Sequence, residues 1–343
     1  MSDSKGRALW FVGPRSAELR SAGAPAPGPD EVRVAAEYSA ASAGTEMLVY
    51  RGEVPGDTPL DLPTLEGSFA FPIKYGYALA GRITEVGKNV RHLAPGDAVF
   101  VHHPHQSRMT VPANMPVRLP ETVTTLEGVF FANLETALNI VHDTPGKLGE
   151  TVVVMGQGAV GLLVTGLLVF SGVRVIAVDP VAIRRELARE FGAEIAVEPD
   201  GLSDFVRSET NGLGADAVVE ASGSTHALGA AVGCVAAEGT VVVASWYGTK
   251  PVSLDLGGHF HRGRVRLKSS QVGSLAPELS GRWSRERRTR AVLDLMPRLG
   301  LERLVSHRVS LEDAPGGYQK LDVDEEFARK AIQVVIEYHA NEA

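Results

Sequence analysis

Apolar runs alternate with helix-length segments through the middle of the chain. A run from Thr151 to Met155 leads into a glycine-rich turn and an apolar helical segment that ends at Phe170, and a second run covers Arg174 to Val178. The alternation continues with predicted strands at residues 194–197, 216–220, 240–244 and 264–270, and with predicted helices at about 181–191, 202–210 and 225–235. Strands that alternate with helices build parallel βαβ units. The pattern therefore predicts an α/β fold with a doubly wound parallel sheet.

The first 135 residues follow a different pattern, without helical periodicity. Proline and glycine separate short β-like runs at residues 7–12, 31–38, 77–86, 97–102 and 108–111. This punctuation predicts an irregular β domain, which a helix at 127–141 links to the α/β part. A basic helix at 283–299, a helix at 314–321 and an apolar strand at 331–336 indicate that the chain then returns to the first domain. We predict one domain from residues 1–135 and 275–343 and another from residues 136–274.

The glycine-rich turn carries the clearest chemical signal. It reads Gly156, Gln157, Gly158, Ala159, Val160 and Gly161, and the following strand ends at Asp179. The first glycine permits a tight turn, the second lets a pyrophosphate approach the backbone, and the third lets helix and strand pack closely. The free N–H groups at the helix N-terminus would face the phosphates. Asp179 lies where a carboxylate accepts the ribose hydroxyls, so the unit predicts dinucleotide binding.

Charge excludes several classes of partner. The formal net charge is −7, which gives no overall basic field for nucleic acid or an anionic membrane. The basic cluster comprises Arg282, Arg285, Arg287, Arg288 and Arg290. We interpret it as a solvated helix face or a patch for an anionic substrate rather than as a nucleic-acid site.

Cysteine content and the termini narrow the class further. Cys234 is the single cysteine, which excludes an internal disulfide framework and a cysteine-built zinc site. The N-terminus has no signal-peptide pattern, and no apolar run approaches the roughly 18 residues of a membrane span. With 44% hydrophobic and 22% charged residues, the chain has the ordinary composition of a soluble globular protein. We predict a cytoplasmic enzyme with a small-molecule substrate.

Several motifs, taken together, resemble one family over nearly the whole chain. They are SAGTE at 42–46, GYALAGRITEVG at 76–87, PGDAV at 95–99, the glycine turn, and LVSHRVSLEDAPGGYQKL at 304–321. The chain resembles the medium-chain dehydrogenase/reductase family, which implies a GroES-like β domain and a Rossmann domain. Within it, SAGTE, KYGY at 74–77, NLETA at 133–137 and SSQVG at 269–273 are similar to the bacteriochlorophyllide hydroxyethyl dehydrogenase branch.

The departures from the family pattern concern its metals. Where zinc alcohol dehydrogenases of this family bind the catalytic metal, this chain has Ala43, Tyr77 and Ala132. Catalytic zinc takes about three protein ligands, and alanine supplies none. The four-cysteine lobe of the structural zinc is also missing from the sequence. The resemblance therefore implies an enzyme without zinc at the catalytic site or at the structural site.

Three histidines, His102, His103 and His105, are the remaining candidate metal ligands. They lie in a loop where the family has no metal site. We therefore favour a solvated or substrate-lining loop over a metal site.

Without zinc, another group must handle the proton at the substrate oxygen. Thr45 matches the family's Ser/Thr that hydrogen-bonds this oxygen, whereas the family's relay histidine falls at Leu48. Tyr77 could donate a proton if a cation lowered its ordinary pKa of about 10, and Lys74 could supply that cation. Alternatively, the aromatic residues of KYGY only fill the space left by the metal shell.

Two glutamates complete the catalytic candidates. Glu46 and Glu135 could act as a base or bind a substrate hydroxyl, but a salt bridge or helix-start carboxylate is the favoured interpretation. Thr136 matches a family residue beside the nicotinamide ring.

The cofactor expectation favours NAD(H). A carboxylate at Asp179 would repel the 2′-phosphate of NADP(H), although the adjacent Arg184 and Arg185 leave NADP(H) open. The resemblance places Arg184 at the NAD ribose, Ser222 at the adenosine, Ser245 and Trp246 at the nicotinamide, and Lys330 near the pyrophosphate. It also implies a homodimer formed through the Rossmann edge strand at 264–270.

These observations predict a zinc-independent, NAD(H)-linked oxidoreductase that interconverts a secondary alcohol and a ketone, of a secondary-metabolite, cyclitol or tetrapyrrole type. One alternative is an NADPH-dependent enone or quinone reductase, against which Asp179 argues. Another is a dinucleotide-binding sensor without catalytic activity, against which Thr45 and Thr136 argue.

Overall fold

The computed structural model describes residues 6–60, 65 and 67–339. The chain forms two compact units, one from Met1–Ala132 and Met296–Ala343 (unit 1) and the other from Asn133–Leu295 (unit 2). None of the helices in the described ranges combines the length and apolar character needed to span a membrane.

Fifteen strands occur in the described residues: β1 (Gly6–Gly13), β2 (Ser16–Ala22), β3 (Glu31–Ala41), β4 (Leu79–Val86), β5 (Ala98–Val101), β6 (Arg108–Pro112), β7 (Val117–Arg118), β8 (Thr151–Met155), β9 (Arg174–Val178), β10 (Ile195–Val197), β11 (Ala215–Glu220), β12 (Val235–Val243), β13 (Arg266–Ser269), β14 (Val305–Ser310) and β15 (Gln333–Glu337).

The α-helices of the same residues are α1 (Thr45–Arg51), α2 (Thr125–Gly128), α3 (Phe131–Asp143), α4 (Ala159–Phe170), α5 (Ala182–Glu190), α6 (Leu202–Glu209), α7 (Thr225–Cys234), α8 (Arg285–Leu295), α9 (Ala314–Val323) and α10 (Glu325–Lys330). Shorter helical turns lie at Leu256–Phe260, Pro277–Leu279, Met296–Arg298 and Leu301–Leu304.

Unit 2 contains the predicted doubly wound sheet. Its six strands are all parallel, in the order β10-β9-β8-β11-β12-β13. The central strand β8 is buried at every position, as expected for a parallel strand covered on both faces. The chain order reverses between β8 and β11, which is where open α/β sheets bind ligands. The predicted fold class is confirmed.

Unit 1 is built on an irregular, mainly antiparallel sheet. The order is β14-β15-β3-β4-β5-β7, β6 pairs with β3, and β1 and β2 form a separate hairpin. The long strand β3 is the centre, because β15 from the C-terminal segment and β4 pair with it antiparallel. Its core contains the aromatic rings of Phe11, Tyr50 and Tyr318.

Helix α1 lies in the part of the chain where the sequence has no helical periodicity and predicts an irregular β domain. It begins after Gly44 and ends at Gly52, whose positive φ of 75° lets its N–H bond the carbonyls of Leu48 and Val49. Five consecutive residues of this helix, 46–50, are buried. Burial on every face removes the apolar periodicity from which a helix is predicted.

Candidate active site

The glycine turn of unit 2 has the backbone form that its sequence predicts. Gly156 has a φ of +89°, and a Cβ there would lie 2.6 Å from the Cα of Ser222. A Cβ on Gly161 would lie 1.8 Å from the carbonyl oxygen of Gly156, so both positions require glycine. At Gly158 nothing lies within 4 Å of the Cβ position, and no side chain caps helix α4 there. Backbone N–H groups at an open helix N-terminus suit a phosphate.

Asp179 connects the end of β9 to this turn. The carboxylate is buried and accepts hydrogen bonds from the backbone N–H groups of Gln157 (2.8 Å) and Val181 (2.9 Å), one on each oxygen. The Arg184 guanidinium lies 3.8 Å from it, whereas Arg185 bonds the Asp179 carbonyl oxygen and Glu198. Each carboxylate oxygen keeps a second lone pair, which a ribose hydroxyl can use. The turn and the acid therefore fit a dinucleotide.

A buried carboxylate at the end of β11 orders the neighbouring loops, and sequence reasoning missed it. Glu220 is fully buried and accepts hydrogen bonds from the Ser222 and Gly223 N–H groups and the Tyr247 hydroxyl. Burial and this carboxylate raise the pKa of Tyr247. Ser245 Oγ in turn accepts from the Gly223 N–H at 2.8 Å. The sequence signal that could have identified Glu220 is an acidic residue at the carboxyl end of a predicted parallel strand.

These contacts bring the predicted cofactor residues Ser222 and Ser245 together around Glu220. The indole of Trp246, next in the chain, is 42% exposed. Lys330, in unit 1, is an exposed residue paired with Glu326 at 2.5 Å.

Glu135 and Thr136 lie on helix α3. The Glu135 carboxylate is 3.1 Å from the guanidinium of Arg288, which is itself buried and also donates to Asn139 at 2.9 Å. This is the salt bridge that the sequence favoured for Glu135. Thr136 is half-buried on the same helix.

In unit 1, the structure brings Thr45 and Tyr77 together. The Ser42 and Thr45 side chains lie close enough to the Tyr77 hydroxyl to lower the pKa of the phenol, and the Thr45 N–H donates to Ser42 Oγ at 3.2 Å. The SAGTE segment thus presents two hydroxyl groups to the phenol at the start of α1. Such a group of hydroxyls can bind one oxygen atom of a substrate and exchange a proton with it.

The pKa of Tyr77 shifts in the direction opposite to that expected. Burial, followed by the charge of Glu46, raises it to about 12, while the Ser42 and Thr45 hydrogen bonds lower it. The Lys74 ammonium group donates to Gln106 Oε1 at 2.6 Å, and burial lowers its own pKa. Lys74 is therefore not the cation that was expected to lower the pKa of Tyr77, and the phenol is held in its protonated form.

Two of the three loop histidines, His103 and His105, are buried, so the solvated form of the favoured interpretation is wrong for them, and the substrate-lining form stays a prediction. His103 is buried, and its Nδ1 lies 2.9 Å from the carbonyl oxygen of Pro104. Burial lowers the pKa of His103 to about 4. His105 is completely buried. Among the described residues, no three His, Cys, Asp or Glu side chains are grouped to hold a metal ion.

Glu46 is the centre of a buried group of polar side chains, which we call the Glu46 cluster: Ser39, Glu46, His105, Tyr318 and Tyr338. Glu46 Oε2 lies 3.0 Å from His105 Nε2 and accepts a hydrogen bond from the Tyr318 hydroxyl. On the other side of the ring, Ser39 Oγ is 2.7 Å from His105 Nδ1 and 2.8 Å from the Tyr338 hydroxyl. Sequence reasoning found only Glu46 and the His105 loop, because β3, α9 and the end of β15 contribute the rest.

The positions of the family's metal ligands have no metal-binding set in this chain. Ala43 and Ala132 carry no donor atom, and Tyr77 supplies a phenol whose raised pKa keeps it protonated. The donor chemistry at these positions therefore does not fit zinc.

Comparison with known proteins agrees with this architecture. Residues 28–160 match the alcohol dehydrogenase GroES-like domain, and residues 159–290 match the zinc-binding dehydrogenase domain. A D-guloside 3-dehydrogenase from Escherichia coli K12 is 27% identical over 310 residues, covering 85% of this chain and 89% of that protein.

Solved structures share the fold. A protein from Sinorhizobium meliloti 1021 bound to NADP has a TM-score of 0.78 at 22% identity, covering 97% of this chain and 99% of that one. An alcohol dehydrogenase from Escherichia coli CFT073, complexed with NADH, has a TM-score of 0.78 at 18% identity with the same coverage. The matched domains span residues 28–290, and together with the sheet order they show that the chain belongs to the medium-chain dehydrogenase/reductase family of zinc-binding-type alcohol dehydrogenases.

Proposed function

We propose that this chain is a zinc-independent, NAD(H)-linked oxidoreductase that interconverts a secondary alcohol and a ketone. The observation that carries the proposal is the close grouping of the Ser42, Thr45 and Tyr77 hydroxyls, with Tyr77 at the position where the zinc enzymes of the family have a metal ligand. The named relative D-guloside 3-dehydrogenase supports a polyhydroxylated, sugar-like secondary alcohol as the substrate class.

Unit 2 supplies the residues that would hold the cofactor. The open backbone at Gly158 and the N-terminus of α4 would bind the pyrophosphate, and Asp179 the adenosine ribose. Ser222, Ser245 and Trp246 follow the carboxyl ends of β11 and β12, and we assign them to the adenosine and nicotinamide pockets. The bound nicotinamide supplies the hydride chemistry.

Unit 1 supplies the residues that would handle the proton. Thr45 and Tyr77 bind the substrate oxygen, which orients the reacting carbon. In ketone reduction the Tyr77 phenol, held protonated, donates its proton to the oxygen as negative charge develops there. In alcohol oxidation the Tyr77 hydroxyl takes the substrate proton as it releases its own to the surroundings, so that it relays the proton and does not store it.

Asp179 supports NAD(H) rather than NADP(H). A buried carboxylate has no room to turn away from a 2′-phosphate, and two like charges in contact cost several kcal/mol. The solved relatives include one bound to NADP and one to NADH, so the choice depends on this residue. We also keep the homodimer as a proposal, through the unpaired side of the edge strand β13, where Leu267 is 39% exposed.

The test is a turnover screen on purified protein treated with a chelator. NADH and NADPH are each supplied with sugar-derived ketones, enones and quinones, and bound metal is quantified in the same sample. We expect NADH-dependent ketone reduction without zinc. Activity confined to enones or quinones with NADPH would replace the proposal with a reductase, and tight NADH binding without turnover would replace it with a sensor. A zinc ion needed for activity would refute the metal-free mechanism.

A further inference from the structure

The Glu46 cluster joins five polar side chains inside the apolar core of unit 1. Glu46 and His105 are each 0% exposed, and neither has a fixed cation such as Lys or Arg among the hydrogen-bond partners described above. A buried carboxylate and imidazole cost considerable free energy to desolvate unless they are paired. A core position that needed only packing would be filled by apolar side chains at lower cost.

The hydrogen bonds of the cluster can accommodate two protonation states. With His105 neutral, Nε2–H donates to Glu46, Nδ1 accepts from the Ser39 hydroxyl, and Ser39 accepts from Tyr338. With His105 as imidazolium, Nδ1–H donates to Ser39, whose hydroxyl then donates to Tyr338. Either oxygen of the Ser39 and Tyr338 pair can be the donor at 2.8 Å, so no heavy atom needs to move.

The other oxygen of Glu46 provides an entry point for a proton. Glu46 Oε1 is buried and accepts no hydrogen bond from any residue that the structure describes. The Glu46 charge also acts directly on the Tyr77 phenol. Gly76, with a φ of +134°, keeps the backbone before Tyr77 against the imidazole, since a Cβ there would lie 2.8 Å from His105 Nε2. The cluster and the proposed proton donor are therefore immediate neighbours.

Two tyrosines and one histidine around the pair have pKa values that burial moves away from neutrality. Burial and Glu46 raise the pKa of Tyr318 well above its ordinary value and that of Tyr77 to about 12. Burial lowers the pKa of His103 to about 4, and Lys74 and His105 act on it in the same direction. Tyr338 contributes only a phenol, and Lys74 is bonded to Gln106. Between these groups, Glu46 and His105 contact each other directly, and Ser39 contacts the far side of the imidazole ring.

We propose that Glu46 and His105 form a buried store for one proton, which serves the reaction at Tyr77. In alcohol oxidation, the C–H bond breaks and its hydride reduces NAD⁺, while the O–H proton passes through the Tyr77 hydroxyl to the pair as the C=O bond forms. In ketone reduction, the pair returns that proton to Tyr77. Within the proposal, the proton passes between the Tyr77 hydroxyl and Glu46 Oε1, the carboxylate oxygen that accepts no other hydrogen bond from the described residues. The inference rests on the proposed function.

The kinetic test compares His105→Gln with Tyr50→Phe. Gln keeps a donor for Glu46 but cannot take up the proton, whereas Tyr50 lies in the same aromatic core and bonds the Arg15 carbonyl oxygen instead of the cluster. We expect His105→Gln to lower kcat roughly 10²-fold per folded molecule, to raise the solvent deuterium isotope effect on kcat, and to leave the KM for NADH unchanged. An unchanged kcat, pH profile and isotope effect would reduce the cluster to a structural role.

A second measurement does not depend on turnover. The two ring nitrogens of His105 are followed by ¹⁵N NMR over the pH range in which the protein stays folded, with His105→Gln used for assignment. We expect one reversible change between a neutral tautomer and imidazolium, and the change should alter in Glu46→Gln. If His105 keeps a single neutral tautomer over the whole pH range, the proposed proton store is wrong. If the store is seen but no alcohol or ketone is turned over, the proposed function fails by itself.

Discussion

The side chain of Thr45 lies close enough to the hydroxyl of Tyr77 to lower the pKa of the phenol. Zinc polarises a substrate oxygen by charge, whereas a hydroxyl pair can only donate and accept hydrogen bonds. The raised pKa keeps the Tyr77 phenol protonated throughout the neutral range, but it also makes the phenol a weaker acid than free tyrosine. The pair can therefore hydrogen-bond a carbonyl oxygen, and the proton moves only as negative charge develops on that oxygen during reduction.

Removal of either hydroxyl should reduce catalysis. We expect Thr45→Ala and Tyr77→Phe each to lower turnover roughly 10²-fold or more, the loss expected for a proton-transfer group. The matched control is Tyr75→Phe, because the Tyr75 ring lies edge-on to Tyr77, with centroids 6.3 Å apart. Steady-state kinetics of ketone reduction provide the measurement. Near-wild-type turnover in both variants contradicts the mechanism.

The buried His103 should make the protein sensitive to mild acid. Its folded pKa of about 4 lies below the unfolded value of 6.5, so the unfolded state binds the proton first. The contribution of neutral His103 to the free energy of unfolding is present above pH 6.5 and is lost as the pH falls toward 4. The free energy of unfolding changes by about 1.4 kcal/mol per pH unit for one proton, so it should fall by roughly 2 kcal/mol between pH 6.5 and 5.

The comparison variant for this effect is His103→Gln. Its free energy of unfolding, measured by denaturant titration at pH 7 and pH 5, should fall less steeply with acid than that of the wild type. Equal slopes for the two proteins would mean that other groups control the acid sensitivity.

The nucleotide unit could be predicted from the sequence because its signals are local. Met155, Gly156 and Asp179 follow each other at spacings set by one βαβ unit, and the strand limits at Thr151–Met155 agree with the structure. The Glu46 cluster could not be predicted in this way. Its members are up to 299 residues apart, and only the pairing of β15 with β3 brings Tyr338 to Ser39.

The proton-handling residues were located by resemblance, but their environment was not. Lys74 lies three residues before Tyr77, which suggested a cation beside the phenol. The structure shows that burial and Glu46 determine the pKa of Tyr77 instead, because the ammonium group is directed to Gln106. Sequence spacing within a loop does not reveal where a side chain points.

Glu135 offers a test that separates a structural from a catalytic role. Its partner Arg288 is buried, so Glu135→Gln leaves a guanidinium whose charge is not compensated. We expect the free energy of unfolding to fall by about 1–3 kcal/mol, with kcat per folded molecule within a factor of about two of the wild type. Thermal denaturation and active-site-normalised kinetics measure the two effects. A large loss of kcat at unchanged stability would return Glu135 to the catalytic candidates.

Cofactor choice should depend on the charge of Asp179 rather than on its shape. Asp179→Asn keeps an oxygen for one of the two backbone N–H donors, Gln157 and Val181, but removes the charge that would face a 2′-phosphate. We expect the preference for NADH over NADPH, measured as the ratio of kcat/KM values, to fall by about 10- to 100-fold, because each factor of ten corresponds to about 1.4 kcal/mol. The control is Glu198→Gln, which removes a surface carboxylate bonded to Arg185. If wild-type enzyme uses both cofactors equally, or if Asp179→Asn leaves the ratio unchanged, the Arg184 guanidinium rather than the carboxylate controls the choice.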